Sequence, residues 1–408
     1  MPRPVTASSP APRSPRIVLA PGKDRRARAG HLWIYAGEIA RREGRPEPGD
    51  AVDVVDARGR FIGRGHDNPA STISVRLFTH RRDEALDAGL VRRRLAAAIA
   101  WRRRFLPAGA TCRLVFSEGD WLPGLTVDRY GPVLVLQIGT LGMDRLRDVI
   151  VDALDDALHP RGIFEKSDMP ARAHEKLGPQ VGVLRGEVPP EVEVDLDGVR
   201  QIVAIGGGQK TGLFLDHRDS RRLLQPWAAG RRVLDVFCHS GAFALAALAA
   251  GAREATGIEI AADAVATARR NASLNGFGDR CRFLEANAFD ALRGMERAGE
   301  RYDLIVLDPP AFTKSARAAD AARRGYKEIN LRALKLCAPG GILLTASCSY
   351  HVSPEEFLDI VRSAAADVGR PVTLLAQGGQ APDHPVNLAV PETRYLKVAL
   401  LAVRDGAS

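Results

Sequence analysis

The chain of 408 residues has no CxxC pair among its five cysteines, Cys112, Cys238, Cys281, Cys337 and Cys348. That spacing argues against a zinc ribbon, and an odd number of scattered thiols argues against a disulfide framework. No metal site is expected. No apolar run is long enough to span a bilayer; the longest, GAFALAALAAGA around Leu245, is short and small-sided. The opening residues, MPRPVTASSPAPRSPR, lack the apolar stretch of a secretory signal and read as a disordered basic tail over residues 1–16. A cytoplasmic location without membrane attachment is the expectation. No internal repeat of roughly 20–50 residues is visible, which argues against a solenoid or a propeller.

What is present describes a globular chain of two or three domains, 45% hydrophobic and 26% charged. The net charge of +9 is uneven: residues 1–80 hold 14 Lys/Arg against 8 Asp/Glu, a net +6. Arg92-Arg93-Arg94 and Arg102-Arg103-Arg104 add two basic runs near Trp101. Such stretches favour a polyanion, nucleic acid being the common case.

Three segments follow the tail. Residues 17–79 alternate strand-like runs with Asp/Gly turns, as in DAVDVVDARGRFIGRGHDN and STISVRLF, and suit a small β-barrel; HLWIYAGEI reads as a short helix or strand. Residues 80–195 combine the helix EALDAGLVRRRLAAAIAWRRRF, strands, and the helix MDRLRDVIVDALDDALH, an α+β unit. Residues 196–408 alternate strands (RRVLDVF, EATGIEI, RCRFLEA, YDLIVLD, GGILLTA, PVTLLAQ, RYLKVALLAV) with helices. That alternation predicts an α/β, Rossmann-like parallel sheet with helices on both faces.

In such a sheet, ligands bind beyond the carboxyl ends of the strands. Two of these ends carry reactive groups. YDLIVLDPPAF delivers Asp308-Pro309-Pro310, and GGILLTASCSYH delivers Cys348. An acid and a thiol on successive strands can act together on one flat ring. The first strand ends in Asp235-Val236-Phe237, and the turn Cys238-His239-Ser240-Gly241-Ala242 leads into a helix of small residues. Small side chains let a ligand approach the backbone and the helix N-terminus. Glu259, 24 residues after Asp235, can accept hydrogen bonds from both hydroxyls of a ribose. One glycine in the turn serves a pyrophosphate poorly, so S-adenosylmethionine, an adenosine without phosphate, fits better than a dinucleotide. Asn287 can accept from an adenine amino group through its amide oxygen. Phe289 packs on that ring or belongs to the core.

Together GGGQKTGLFLDHRDSRR, VLDVFCHSGAFALAALAAGA, GIEI, VLDPPAFTKS and ASCSYHV resemble the RlmI-type family of class I methyltransferases, bacterial 23S ribosomal RNA cytosine-5 methyltransferases and their relatives. The resemblance covers nearly the whole chain. GHLWIYAGEI resembles the family's N-terminal PUA domain, an RNA-binding barrel, and APDHPVNLAVPETRYLKV resembles its ending. It implies an S-adenosylmethionine site lined by Asp235, Phe237, Ser240, Gly241, Ala242, Glu259, Asn287, Ala288 and Asp308. Asp308 would face the target base, and Cys348 would be the nucleophile. Ala311 follows Pro310, where some RNA cytosine methyltransferases carry a second cysteine, so a one-cysteine mechanism is implied. Lys210, Phe214, Arg218, Pro309, Pro310 and Phe312 are the candidates for substrate contact, with Lys314, Lys210 or Arg218 as cations that help the thiol ionise. The implied partner is 23S ribosomal RNA or a pre-ribosomal particle, with homodimer formation left open. Two rival functions remain at this point: methylation of another base atom, such as a guanine nitrogen, and a non-catalytic ribosome-assembly factor that keeps the fold.

Overall fold

The computed structural model describes residues 15–207, 211–312 and 319–404. The expected tail, Lys210 and Lys314 lie, apart from the tail's last two residues, outside the described residues.

The first domain is a six-stranded sheet in the order Trp33–Tyr35, Ile73–Thr79, Phe61–Asp67, Ala51–Val55, Arg16–Leu19, Ile39–Glu43. Its two edge strands are consecutive in the chain, joined by the turn Ala36–Glu38, so the sheet curls toward closure. HLWIYAGEI is therefore a strand and a turn. Alternate side chains (Ile17, Leu19, Val52, Val54, Val75, Leu77) fill the interior.

The second domain lays the helices Ala88–Arg102 and Arg147–Leu158 on a five-stranded sheet running from Gln180–Gly186 to Cys112–Phe116. The Arg runs near Trp101 are less available than their sequence suggests. Arg102 is 2% exposed and forms two bonds to Asp120 at 2.5 and 2.7 Å. Arg92 pairs with Asp156, Arg93 with Glu84, and Arg94 donates to the Trp121 carbonyl.

A hairpin, Glu191–Asp195 with Arg200–Ala204, straddles the boundary expected at residue 195. It is bonded to the third domain: the Ile202 amide donates to Asn271 Oδ1, and Asn271 Nδ2 donates to Gln201 Oε1, both at 2.8 Å. We propose the division before Glu191.

The third domain holds β1 (Arg232–Val236), α1 (Ala242–Ala249), β2 (Glu254–Glu259), α2 (Ala262–Leu274), β3 (Cys281–Glu285), α3 (Ala288–Arg297), β4 (Tyr302–Leu307), α4 (Ala319–Leu336), β5 (Cys337–Ser347), α5 (Pro354–Val368), β6 (Val372–Gly378) and β7 (Lys397–Val403). All seven strands form one sheet in the order β3-β2-β1-β4-β5-β7-β6. Its central strands are buried on both faces; Leu304, Ile305, Val306 and Leu307 are all 0% exposed. The sheet is not wholly parallel, as the alternation had implied: β7 runs antiparallel to β5 and β6. The cause is the connector. A parallel partner needs a crossover helix, and between β6 and β7 the chain makes only the short turn Pro391–Thr393. Cys337 opens β5.

That connector straps the three domains together. Val390 is buried in the first domain's core, and Glu392 meets His31 at 3.0 Å. Asn387 donates to the Glu118 carbonyl at 3.0 Å, and the Asp383 carbonyl accepts from Arg102 at 2.6 Å.

Candidate active site

Strand order places the reactive groups. β1, β4 and β5 are neighbours, so the residues that follow them emerge side by side at intervals of about 4.8 Å. They are Phe237, Asp308 and Cys348. The Asp308 amide donates to the Val236 carbonyl at 3.4 Å, which holds the Asp-Pro-Pro loop over the end of β1. The Cys348 thiol lies 4.0 Å from the Pro309 carbonyl oxygen. Sequence reading paired acid and thiol; the Cys348 thiol lies against the loop that carries Asp308.

The thiol loop is fixed from below. Ser347 and Ser349 are fully buried; Tyr326 Oη and Ser349 Oγ are 2.8 Å apart. Lys397 pairs in register with Ser347, and its Nζ donates to the Ser349 carbonyl at 2.6 Å and the Tyr395 carbonyl at 2.9 Å. The ammonium thus sits between the backbone just after Cys348 and that just before β7. Burial pulls Lys397 down to about 8, and charge on Cys348 pulls the other way. Phe312, a candidate for substrate contact, is partly buried and packs against the core, 4.8 Å from Tyr326 and 6.0 Å from Phe289 between ring centroids.

Asp308 has a partner that sequence reading missed. His217 Nε2 lies 3.1 Å from Asp308 Oδ2, and its Nδ1 lies 3.1 Å from Ser220 Oγ. His217 is 3% exposed. Burial opposes its protonation, but the charge and hydrogen bond of Asp308 outweigh burial and raise its pKa above the ordinary value. Two other predicted substrate contacts come from this segment. Arg218 is buried, bonded to Asp197 and to the Thr111 carbonyl, so it joins domains and faces neither thiol nor solvent. Phe214 stands edge-on to His239 at 5.0 Å, above the turn after β1. Pro309 is buried and Pro310 exposed.

In the turn after β1, Phe237, His239 and Gly241 all have positive φ, at 65°, 47° and 83°. Such conformations in non-glycine residues cost about 1–3 kcal/mol each and cluster where a loop is shaped for a ligand. A Cβ at Gly241 would stand 2.8 Å from the Phe283 ring. Asp235 is fully buried; its Oδ2 accepts from the Ala244 amide at 2.9 Å, while Oδ1 has no protein partner. Burial, with Asp308 and Glu259 nearby, pushes Asp235 up to about 7. Glu259 accepts from the amides of His239, Ile260 and Ala261 at 3.0, 2.8 and 3.0 Å. A carboxylate has about four acceptor positions, so roughly one remains, enough for one ribose hydroxyl but short of the two expected. Ser240 turns inward to Gln201 at 3.4 Å, and Ala288 is core, so these offer only backbone to a ligand; Ala242 is half-buried. Asn287 caps α3, its amide oxygen accepting from Phe289 and Asp290 at 3.0 and 3.4 Å. That oxygen was expected to meet adenine; the cap commits it, leaving the amide nitrogen as the group to offer. Ile260 is 66% exposed beside Glu259, an apolar surface suited to a purine.

A family model for S-adenosylmethionine-dependent methyltransferases matches residues 179–384, and one for PUA-like domains matches residues 17–80. A Klebsiella pneumoniae protein named ribosomal RNA large subunit methyltransferase I is 39% identical over 387 residues, covering 94% of this chain and 97% of its own. The chain belongs to the ribosomal RNA large subunit methyltransferase I family. Another family member, from Pseudoalteromonas atlantica, is 40% identical over 94% of this chain and 98% of its own. Among solved structures, a protein from Streptococcus mutans described as a SAM-dependent methyltransferase shares the fold, with a TM-score of 0.81 over 95% of this chain and 100% of its own, at 21% identity. A second structure of equal TM-score and 20% identity, covering the same shares of the two chains, is complexed with SAH. The cofactor of the methyltransferase domain in this family is S-adenosylmethionine. The turn fits that group: an unpartnered buried carboxylate oxygen on Asp235, a glycine-opened helix start, and an acid followed by exposed Ile260.

Besides His217, sequence reading missed Lys397 and Ile260. Lys397 had a signal, being the one lysine in the apolar strand RYLKVALLAV. His217 stood in plain sight within KTGLFLDHR, but its partner Asp308 lies 91 residues away. Tyr350 was also passed over. It is 56% exposed, two residues after Cys348, within electrostatic reach of Glu392, Tyr35 and Arg26. Arg26 covers the Tyr35 ring at 4.5 Å, so an aromatic and basic surface runs from the first domain to the thiol loop.

Proposed function

We propose that this chain methylates carbon 5 of a cytosine in large-subunit ribosomal RNA through a covalent bond to Cys348. The substrate class follows the name carried by relatives that align over nearly the full length. The observation that carries the chemistry is the Cys348 thiol lying against the loop of Asp308, at 4.0 Å from the Pro309 carbonyl.

Carbon 5 of cytosine is too weak a nucleophile to take a methyl group unaided. Attack of the Cys348 thiolate on carbon 6 moves the ring's electron pair toward carbon 5 and ring nitrogen 3, making carbon 5 enamine-like. Lys397 stabilises the thiolate. Asp308 holds the pyrimidine edge and counters charge at nitrogen 3. Bound S-adenosylmethionine supplies an electrophilic methyl group on a sulfonium. Asp235, Gly241, Glu259 and Ile260 hold its adenosine, with Asn287 donating from its amide nitrogen to a ring nitrogen of adenine. Loss of the carbon 5 proton then expels the thiolate and restores aromaticity. A base inside folded RNA has to be splayed out to reach this pocket. The surface of Arg26, Tyr35 and Tyr350 suits the flanking strand, since aromatic faces stack on bases and arginine neutralises phosphate.

Cys348→Ala tests the reading. Nucleoside mass spectrometry of large-subunit RNA is expected to show 5-methylcytosine with the native protein. With the variant, formation falls by about a thousandfold or more, while S-adenosylmethionine binding persists in calorimetry. Full activity of the variant removes the covalent mechanism, and methyl transfer to a guanine nitrogen removes the cytosine.

A further inference from the structure

We infer that His217 supplies the proton that Asp308 delivers to ring nitrogen 3 of the cytosine. This rests on the carbon 5 reading. It goes beyond it by assigning a positioning residue from outside the strand ends.

The chemistry sets a problem for Asp308 alone. When the thiolate bonds to carbon 6, the carbon 5–carbon 6 pair shifts to form a carbon 4–carbon 5 double bond, and the displaced pair settles on nitrogen 3. A proton there traps the adduct. An ordinary carboxyl has a pKa of about 3.9 and holds no proton at neutral pH. Asp308 has a reservoir behind it. His217 Nε2 lies 3.1 Å from Asp308 Oδ2, and Nδ1 lies 3.1 Å from Ser220 Oγ, so a doubly protonated imidazole satisfies both neighbours. As negative charge gathers on nitrogen 3, the Nε2 proton passes to the Asp308 carboxylate and on to nitrogen 3, leaving His217 neutral. When a water molecule takes the carbon 5 proton and the thiolate is expelled, the nitrogen 3 proton returns by the same route. The relay is therefore regenerated each turnover.

The surroundings favour this. His217 is buried under the edge of the Phe243 ring, at 5.3 Å between centroids, so the imidazole is shielded from bulk water. The charged groups facing it are Asp308 after β4, Asp216 and Arg221 on its own segment, and Asp235 at the end of β1. Asp216 accepts from the Tyr395 hydroxyl at 2.6 Å, and Asp235 is largely neutral at low pH. Asp308 thus dominates the raised affinity of His217 for its proton. The sign follows. The relay is charged below the raised pKa and fails as pH rises through it.

The test is the pH profile of kcat for 5-methylcytosine formation, with the native protein and His217→Gln, on large-subunit RNA from cells lacking the protein. The native profile is expected to fall on both sides. The variant is expected to lose about a hundredfold in kcat and to lose the alkaline limb, with S-adenosylmethionine affinity and KM for RNA changed by less than about threefold. A native profile without an alkaline limb overturns the relay, and so does a limb that persists in His217→Gln when combined with Lys397→Arg, which keeps a cation beside Cys348 and removes the limb that Lys397 itself would give. Absence of 5-methylcytosine from the native product would remove the underlying reading and the relay with it. 5-Methylcytosine made with an unchanged variant profile removes the relay alone.

Discussion

Lys397 is a cation whose own burial works against its charge. Taking the ammonium out of water lowers its pKa to about 8, and two backbone carbonyls together with charge on Cys348 hold it in place. A charge so close to the thiol favours the thiolate, whose ordinary pKa is roughly 8.5. Lys397→Met is therefore expected to raise the pH midpoint for alkylation of Cys348 by about one unit, and Lys397→Arg to restore most of it. Peptide-resolved mass spectrometry after timed alkylation reads this cleanly. Cys112, Cys281 and Cys337 are pushed by burial to about 12, and Cys238 well above its ordinary value, so they react slowly. An unchanged midpoint contradicts the assignment. The sequence marked the thiol but not its cation. Lys210 and Lys314 fall outside the described residues, and Arg218 is spent on Asp197. Lys397 reaches Cys348 only through pairing across β5 and β7, which no spacing along the chain reveals.

Among the elements, the turn between β1 and α1 is the most constrained. Gly241 combines a φ of 83° with a Cβ position 2.8 Å from Phe283 and 3.4 Å from Ala268. Gly241→Ala is expected to destabilise the protein by about 2–4 kcal/mol, from left-handed backbone strain plus overpacking. It should also weaken S-adenosylmethionine binding, because the helix start moves. Thermal denaturation and calorimetry check both, and an unchanged Tm with intact binding contradicts the account. All seven strands of this sheet were legible because each is an apolar run closed by turn residues. The direction of β7 was not. Direction belongs to the connector, and the stretch after β6 carries contacts to two other domains in place of a crossover helix. Asn287 shows the same limit at a helix start: its identity suggested a ligand, and its position made it a cap.

At the scale of the whole molecule, the strap from Gly379 to Leu396 ties the first domain to the third through His31, and the second through Glu118 and Arg102. Sequence reading gave three segments in order, yet it placed Arg102 on a basic surface, where the structure buries it in an ion pair with Asp120. The basic groups near the site include Arg26, beside Tyr35 and Tyr350, and exposed Arg394 near Lys397. An extruded base held along that surface arrives at Cys348 with its flanking strand already bound. The central claim is that this sulfur becomes bonded to carbon 6 of the base, and RNA containing 5-fluorocytidine tests it most directly. Fluorine at carbon 5 cannot leave as a proton does, so the adduct stalls after methyl transfer. The full chain is predicted to form a denaturant-stable, S-adenosylmethionine-dependent complex with that RNA, and mass spectrometry is predicted to place the crosslink on Cys348. A complex that survives in Cys348→Ala, or unmodified Cys348 in a protein that still makes 5-methylcytosine, would contradict it.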